Sequence, residues 1–362
     1  MTAGPARILL VRLSAVGDCV HALPVVAALR SSFPGAFLGW AIEEKAHELM
    51  AGHPCVDRFH IYPRRPGGGQ GSWLAGRWKA LCAFRSELRA ARYEAALDLQ
   101  GLTKSALVAW WSGAGLRIGF AGQDGRELSR FFYNRRVQAP AEAAHVVDRN
   151  LALLKALGVN PPARPDWVLP DYSPEQREMD RFLESCGLRH GADWAPLAVV
   201  NAGATWVTKR WRPELFAAVA RGLIERRGMS VIVPWAGEAE RASAEGIVRE
   251  AGSPPAFLAP PTNLRQLAAL LSRACLFVGN DTGPLHLAAA LGVRCVAVFG
   301  ASDPLRNGPY GHGHRVVTAR LPCRPCWSTG CARGDLACLE QVSAPEVLAR
   351  CEEALGDRRA GR

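Results

Sequence analysis

The chain has 362 residues, with 44 Lys plus Arg against 33 Asp plus Glu, a formal charge of +11, 49% hydrophobic and 21% charged residues. That composition is globular and excludes a largely disordered chain, and the length suits two domains, each able to bury its own core. The apolar stretch at 105–116 (SALVAWWSGAGL) is broken by Gly and Ser and falls short of the roughly 18–20 residues of a bilayer span. The apolar run at 8–11 stops at Arg12, so no signal peptide is expected, and a soluble cytoplasmic protein is the expectation.

Strand and helix patterns alternate along the chain. Residues 8–11 read as a buried strand, 20–32 as a helix with Pro24 near its first turn, 37–42 as a strand and 43–51 as a helix. A long helix over 73–92, a strand over 94–99, and helices over 104–111 and 141–157 follow. Residues 160–172 (NPPARPDWVLPDY) carry four prolines and no periodicity and read as a linker. Alternation then restarts, with strands at 197–200, 230–233, 276–279 and 295–299. Helices are expected at 213–227, 238–251, 284–291 and 344–355. Short, fully apolar strands alternating with helices imply parallel sheets covered on both faces. The expected fold is therefore α/β, two doubly wound domains facing a cleft. Domains are set at 1–165 and 166–342, and residues 343–362 form a helix and tail that could pack back on the first domain.

In such sheets ligands bind beyond the carboxyl ends of the strands, so the residues just after strands are the candidates. After the first strand comes Arg12-Leu13-Ser14-Ala15-Val16-Gly17-Asp18, without a dinucleotide-type G-x-G-x-x-G. Asp18 suits either a helix cap or a general base taking a proton from a hydroxyl nucleophile. Asn280-Asp281-Thr282-Gly283-Pro284-Leu285-His286 follows a strand and opens a helix, where free backbone N–H groups and the helix dipole suit phosphate. Asn201 to Thr205 follow another strand, and Lys209-Arg210 come shortly after. A hydroxyl and a cationic pair there could hold a diphosphate, Lys209 acting as a point charge on the leaving group. Glu238 could accept hydrogen bonds from ribose hydroxyls or serve as a first-turn helix residue. No two Asp residues stand two positions apart, so there is no D-x-D motif for a metal–diphosphate complex.

Basic residues surround a glycine-rich stretch: Arg64 and Arg65 precede PGGGQG, with Trp73, Arg77, Trp78 and Lys79 beyond. Arg126, Arg135 and Arg136 add to the positive charge, which suits an anionic, lipid-linked substrate or membrane surface as well as a solvated loop. Seven of the eleven cysteines are scattered. Cys323, Cys326, Cys331 and Cys338 crowd within 16 residues. The first pair has zinc-ligand spacing, and the cluster reads either as a structural zinc or iron site or as free thiols. A nucleic-acid-binding module with a zinc knuckle would need basic and aromatic residues clustered beside the cysteines. The tail offers only Arg320, Arg324, Trp327 and Arg333 and leaves the post-strand loops unexplained, so no nucleic-acid partner is expected.

Together, VRLSAVGD (11–18), TKRW (208–211) and NDTGPLHLAAAL (280–291), with the weaker LQGLTKSAL (99–107) and FYNRR (132–136), resemble glycosyltransferase family 9, the ADP-heptose:lipopolysaccharide heptosyltransferases. The pattern is closer to heptosyltransferase I than II. The resemblance implies a GT-B fold of two Rossmann-like domains, acceptor in the N-terminal half and donor in the C-terminal half. It implies inverting, metal-independent heptose transfer from ADP-heptose to a Kdo residue of the lipopolysaccharide inner core, with no cofactor required and peripheral association with the cytoplasmic face of the inner membrane. Carried over by position, Asp18 is the catalytic base, Thr205 and Lys209 contact the donor phosphates, Glu238 contacts the ribose, and Asp281, Thr282, Gly283 and His286 form the donor loop. Ser14, Gly17, Arg64, Arg65, Lys104, Arg126 and Arg135 are the acceptor candidates, with Kdo-lipid A as acceptor. The second reading is transfer to another heptose or to a protein acceptor, the latter because a related autotransporter heptosyltransferase group carries a cysteine-bound iron.

Overall fold

A computed structural model describes residues 4–63, 73–190 and 193–356. Arg64 and Arg65 lie outside the described residues. The chain divides into a unit ending at Asp171 and a unit beginning at Tyr172, so the boundary falls at the end of the proline-rich linker rather than at 165.

The first unit is a six-stranded sheet of β1 (Arg7–Val11), β2 (Phe37–Glu43), β3 (Arg58–Tyr62), β4 (Ala95–Asp98), β5 (Leu116–Phe120) and β6 (Arg135–Val137). All neighbours are parallel, in the order β3-β2-β1-β4-β5-β6. Ile8 to Val11 are buried completely or nearly so, as a central strand covered on both faces requires. In register, Leu9 lies opposite Gly39 on one side and Ala96 on the other.

The helices of this unit are α1 (Val16–Val20), α2 (Leu23–Ser32), α3 (Glu44–Met50), α4 (Trp73–Ala90), α5 (Thr103–Trp111) and α6 (Val146–Ala152). The helix expected over 20–32 is α2, which begins at Leu23, and the short α1 precedes it and ends at Val20. Pro24 occupies the first turn of α2, where its fixed φ and missing N–H are tolerated, so a new helix begins there. The expected 141–157 helix is α6 followed by a 3-10 turn over Leu153–Leu157, ended by Gly158 at φ +74°.

The second unit opens with α7 (Ser173–Ser185) and a two-residue antiparallel pair, β7 (Arg189–His190) and β8 (Asp193–Trp194). Its main sheet contains β9 (Leu197–Asn201), β10 (Ser230–Val233), β11 (Ala256–Leu258), β12 (Leu276–Asn280), β13 (Arg294–Val298) and β14 (Arg315–Val317). The order is β11-β10-β9-β12-β13-β14, again all parallel. Its helices are α8 (Pro213–Arg227), α9 (Glu238–Ala251), α10 (Leu264–Arg273), α11 (Gly283–Ala290), α12 (Pro304–Asn307), α13 (Ala337–Glu340) and α14 (Ala344–Gly356). Helix α7 is pinned to α10 by Arg265 on Glu175 at 2.6 Å and by a two-pronged Arg273–Asp180 pair with both bonds at 2.7 Å.

The helix expected at the C-terminus is α14, and it packs into the second unit. Val347, Leu348, Cys351 and Ala354 belong to the same buried cluster as Phe216, Leu223 and Val296, so this helix completes the core of the second unit. Leu348 sits against Gly222 of α8, where an added Cβ would fall 2.5 Å from a Leu348 methyl. No helix among the described residues is long and apolar enough to cross a membrane.

Leu348→Ala leaves a cavity between α14 and α8, and its expected cost is about 2–5 kcal/mol. Urea denaturation followed by tryptophan fluorescence checks this; an unchanged midpoint would show that α14 does not carry the core.

Candidate active site

Each sheet reverses its winding once, between β1 and β4 in the first unit and between β9 and β12 in the second. Loops leaving such neighbours diverge and leave a crevice for a ligand. The conspicuous polar residues of the chain collect at these two places.

At the first, Arg12 follows β1 as a buried cation. Its guanidinium donates to the Leu99 carbonyl and lies 2.8 Å from Asp18 Oδ1. The Leu13 N–H donates to Gln100 Oε1 at 2.9 Å, so the loops after β1 and β4 are tied together. Asp18 sits in the first turn of α1, and its Oδ2 accepts only a long 3.3 Å bond from the Ala15 N–H. It is not the cap residue; it reaches back to the cap backbone as the acidic member of a capping box does. His21 Nδ1 stands 4.0 Å from Oδ1. The carboxylate is thus held on one oxygen and open on the other, with its side chain 32% exposed. That arrangement can receive a proton.

Beneath the second of these loops, Asp98 is fully buried at the end of β4. Tyr133 Oη donates to one of its oxygens at 2.7 Å, and the N–H groups of Gln100 and Gly101 donate to the other at 2.8 and 3.2 Å. Burial pushes its pKa up, and the hydrogen bonds from Tyr133, Ser105, Gln100 and Gly101 offset that only in part. Sequence reasoning missed both Arg12 and Asp98. The available signal was a charged residue directly ending a fully apolar strand.

Of the acceptor candidates, Ser14 and Gly17 flank Asp18 in this loop and first turn. Lys104, at the start of α5, is committed to Glu43 at 2.6 Å and lies over the Tyr62 ring. Arg126 is exposed, and its N–H bonds the Gly101 carbonyl at 2.9 Å, which places it beside the loop after β4. Arg135 is exposed on the edge strand β6, opposite Ile118.

At the second reversal, Asn280 staples the loops. Its Oδ1 accepts from the Trp211 N–H at 3.1 Å and its Nδ2 donates to the Ala202 carbonyl at 2.9 Å. Lys209 is not a free charge: its Nζ lies 2.6 Å from Oδ2 of the buried Asp281 and 4.8 Å from the Trp206 ring centroid. His286 Nε2 lies 3.4 Å from the other Asp281 oxygen, and Ser302 Oγ also donates to Asp281. Burial alone would raise the Asp281 pKa; the hydrogen bond and charge of His286, then Lys209, outweigh it and hold it at about 2. Thr282 is the N-cap of α11 and Gly283 its first residue, so this helix start presents N–H groups to the same crevice. Thr205 is exposed in the loop after β9.

Two carboxylates stand in the first turn of α9, Glu238 and Glu240. The Glu238 side chain is 85% exposed and reaches only Arg241 at 3.9 Å. Glu240 accepts from the Ala236 N–H at 3.0 Å and lies so close to Gly203 that a Cβ there would fall 2.5 Å from its carboxylate. A cavity of about 70 Å³ opens at the ends of β9 and β10, lined by Ala202, Gly203, Arg210, Val233, Pro234 and Glu240 among others.

The cysteine segment is a strap over the loop after β13. The N–H groups of Cys326 and Trp327 both bond the Ala301 carbonyl at 3.0 Å. Arg324 donates to the carbonyls of Gly300, Ala319 and Ser302 at 2.5, 2.8 and 3.2 Å. Thr208 Oγ1 donates to the Ser328 carbonyl at 2.6 Å. Of the two readings of Cys323, Cys326, Cys331 and Cys338, the free thiols are what the structure shows: among the described residues no group of three or more His, Cys, Asp or Glu is gathered to hold an ion. The strap is shaped by backbone and arginine hydrogen bonds, with Cys323 and Cys326 at its surface and Cys331 turned toward Asp335.

Two six-stranded, Rossmann-type parallel sheets, each reversing its winding once, are the architecture of the GT-B class. Residues 81–337 match the model of glycosyltransferase family 9 (heptosyltransferase). The chain is 33% identical over 334 residues to lipopolysaccharide heptosyltransferase 1 of Pseudomonas aeruginosa, covering 90% of this chain and 87% of that one. Among solved structures it is similar to the Escherichia coli heptosyltransferase WaaC with ADP, at 28% identity and a TM-score of 0.74 over 96% of this chain and 99% of that one. The WaaC structure with ADP-2-deoxy-2-fluoro heptose matches over the same shares, at 28% identity and a TM-score of 0.73. The chain belongs to glycosyltransferase family 9, the heptosyltransferases.

Because the folded Asp281 pKa of about 2 lies below the ordinary ~3.9 of an unfolded chain, this group stabilises the fold above about pH 4 and ceases to do so as pH falls toward 2. The stability gap between wild type and Asp281→Asn should therefore shrink across that window in denaturant titrations. A gap independent of pH would show that the carboxylate's charge is not what matters.

Proposed function

We propose that this enzyme transfers L-glycero-D-manno-heptose from ADP-heptose to a Kdo residue of the lipopolysaccharide inner core, with inversion and without a divalent ion. The observation that carries this reading is the Asp18 carboxylate at the first reversal point, held by Arg12 and open on Oδ2. The lipopolysaccharide heptosyltransferase 1 relative and the WaaC complexes with ADP and an ADP-fluoroheptose support the donor and the substrate class.

In this mechanism the acceptor hydroxyl oxygen attacks the anomeric carbon on the face opposite ADP, and its proton passes to Asp18. The bond from the anomeric carbon to the phosphate oxygen breaks, and its electron pair leaves with ADP. One displacement inverts the anomeric centre. A general base of this kind contributes about 10²–10⁴-fold. The leaving diphosphate is met by the Lys209 ammonium, which Asp281 orients, by the N–H groups at Thr282 and Gly283, and by His286 and Thr205. Protein cations and a helix start thus take the place of a metal. Glu240, rather than Glu238, is assigned to the ribose hydroxyls, because it faces Gly203 at the strand ends. Ser14, Gly17, Lys104, Arg126 and Arg135 are assigned to the acceptor. A lipid-linked acceptor places the enzyme at the cytoplasmic face of the inner membrane.

The direct test is ADP release by purified protein with ADP-heptose and Kdo2-lipid A, with and without EDTA. Acceptor-dependent release that survives EDTA is expected; release only with another glycolipid or a protein would replace the acceptor. Asp18→Asn should lower kcat by about 10²–10⁴-fold while donor affinity in a binding titration is kept, and unchanged turnover would remove Asp18 as the base. Gly203→Ala, which drives a methyl into the Glu240 carboxylate, should raise the donor KM by about tenfold, the equivalent of about 1.4 kcal/mol, with kcat little changed. An unaltered KM would place the ribose elsewhere.

A further inference from the structure

In the first unit, a 3-10 turn at Ser129–Phe131 lies along α5, and the two carry an exposed apolar group that no mechanism above uses. Leu128 is 59% exposed, Phe131 69% and Trp110 45%. Trp110 meets Phe132 edge-on at 6.3 Å, and the Leu128 N–H donates to Thr103 Oγ1 at 3.1 Å, so the turn is fixed to α5 near both of its ends. The Arg130 guanidinium stands 5.0 Å over the Phe131 ring.

The charge around this group is one-sided. Residues 122–136 hold four arginines, at 126, 130, 135 and 136, against Asp124 and Glu127. All four arginines are exposed. Asp124 is committed to Arg149 through bonds of 2.6 and 2.5 Å, and Glu127 accepts from the Thr103 N–H at 3.0 Å. The internal bonding therefore neutralises Asp124 and leaves the arginines outward. Large exposed apolar side chains on a segment that also carries four exposed arginines match the interfacial zone of a bilayer with anionic headgroups. The apolar tips enter the headgroup–acyl boundary, and each cation near the surface adds attraction that salt screens.

We propose that this turn and the outer face of α5 form the surface by which the protein docks on an anionic lipid bilayer, with Leu128 and Phe131 inserted. The proposal deepens the reading of a lipid-linked acceptor given above and assigns that reading a place on the molecule.

The test is flotation of the full chain with vesicles of phosphatidylethanolamine and phosphatidylglycerol, against vesicles of phosphatidylcholine alone. Binding to the anionic vesicles that weakens with salt is expected. In the double variant Leu128→Asp/Phe131→Asp that binding should fall by about tenfold or more, and Arg130→Gln should lessen both the binding and its salt dependence. Thermal melts of the variants should match wild type, because the substituted side chains are exposed. ADP release with a deacylated, water-soluble acceptor should be unchanged in the double variant. Equal binding to both vesicle types, full binding by the double variant, no vesicle binding by wild type, or a dimer or an oligonucleotide complex lost in the double variant in place of vesicle binding would each overturn the proposal. Vesicle binding without ADP release on Kdo2-lipid A would instead leave this surface standing and remove the acceptor.

Discussion

The parallel pairs β1–β4 and β9–β12 impose the constraint on which the rest depends. Where neighbouring parallel strands send their crossovers in opposite directions, their outgoing loops separate, and backbone at those ends is left to be satisfied by side chains. In the first unit Arg12 and Gln100 do this across the gap. In the second unit Asn280 does it, with one amide side chain serving Trp211 and Ala202. Both devices are buried and hydrogen-bonded, so they hold loops that carry exposed chemistry on a rigid frame.

The two crevices differ in electrostatics. At Asp18 a buried arginine stands beside a carboxylate that is 32% exposed, whose second oxygen accepts only the long bond from the Ala15 N–H. At Asp281 the order is reversed: the carboxylate is buried and the lysine is the more accessible partner, with a side chain 17% exposed against 2%. A buried acid with three polar neighbours makes a fixed anchor, and the cation it holds presents its remaining N–H groups to whatever enters. One crevice carries a partly exposed carboxylate and the other a partly exposed ammonium.

Much of this was legible in the chain. Fully apolar runs at 8–11, 197–200, 276–279 and 295–299 declared the central strands, and the residues just beyond them include Asp18, Lys209 and Asp281. The edge strands β6, β11 and β14 escaped because each has only three residues, and β3 escaped because Arg58 and His60 interrupt its apolar run. Helix α10 was overlooked despite a capping box joining Asn263 and Gln266, a local signal that was there to be read. The different surroundings of Glu238 and Glu240 are not legible in the sequence, because position along a loop says nothing of direction. Two residues turn about 200° around a helix, enough to carry one carboxylate into solvent and the other onto Gly203. The Arg12–Asp18 and Lys209–Asp281 pairs and the Asn280 staple are tertiary facts. Each residue was visible, but its partner is set by which strands adjoin.

The strap over residues 300–302 has a consequence for how the chain can change. Gly300 runs so close to Thr208 that a Cβ would fall 2.0 Å from its carbonyl oxygen, and Arg324 binds the carbonyls of Gly300 and Ser302. Ser302 in turn touches Asp281, and Thr208 precedes Lys209. Shortening the cysteine segment would therefore not trim an ornament from the surface. It would strip the partner from the carbonyls that Arg324 holds and slacken both members of the Lys209–Asp281 pair at once, so insertions and deletions there are heritable edits to the crevice between β9 and β12, written about forty residues downstream of Asp281.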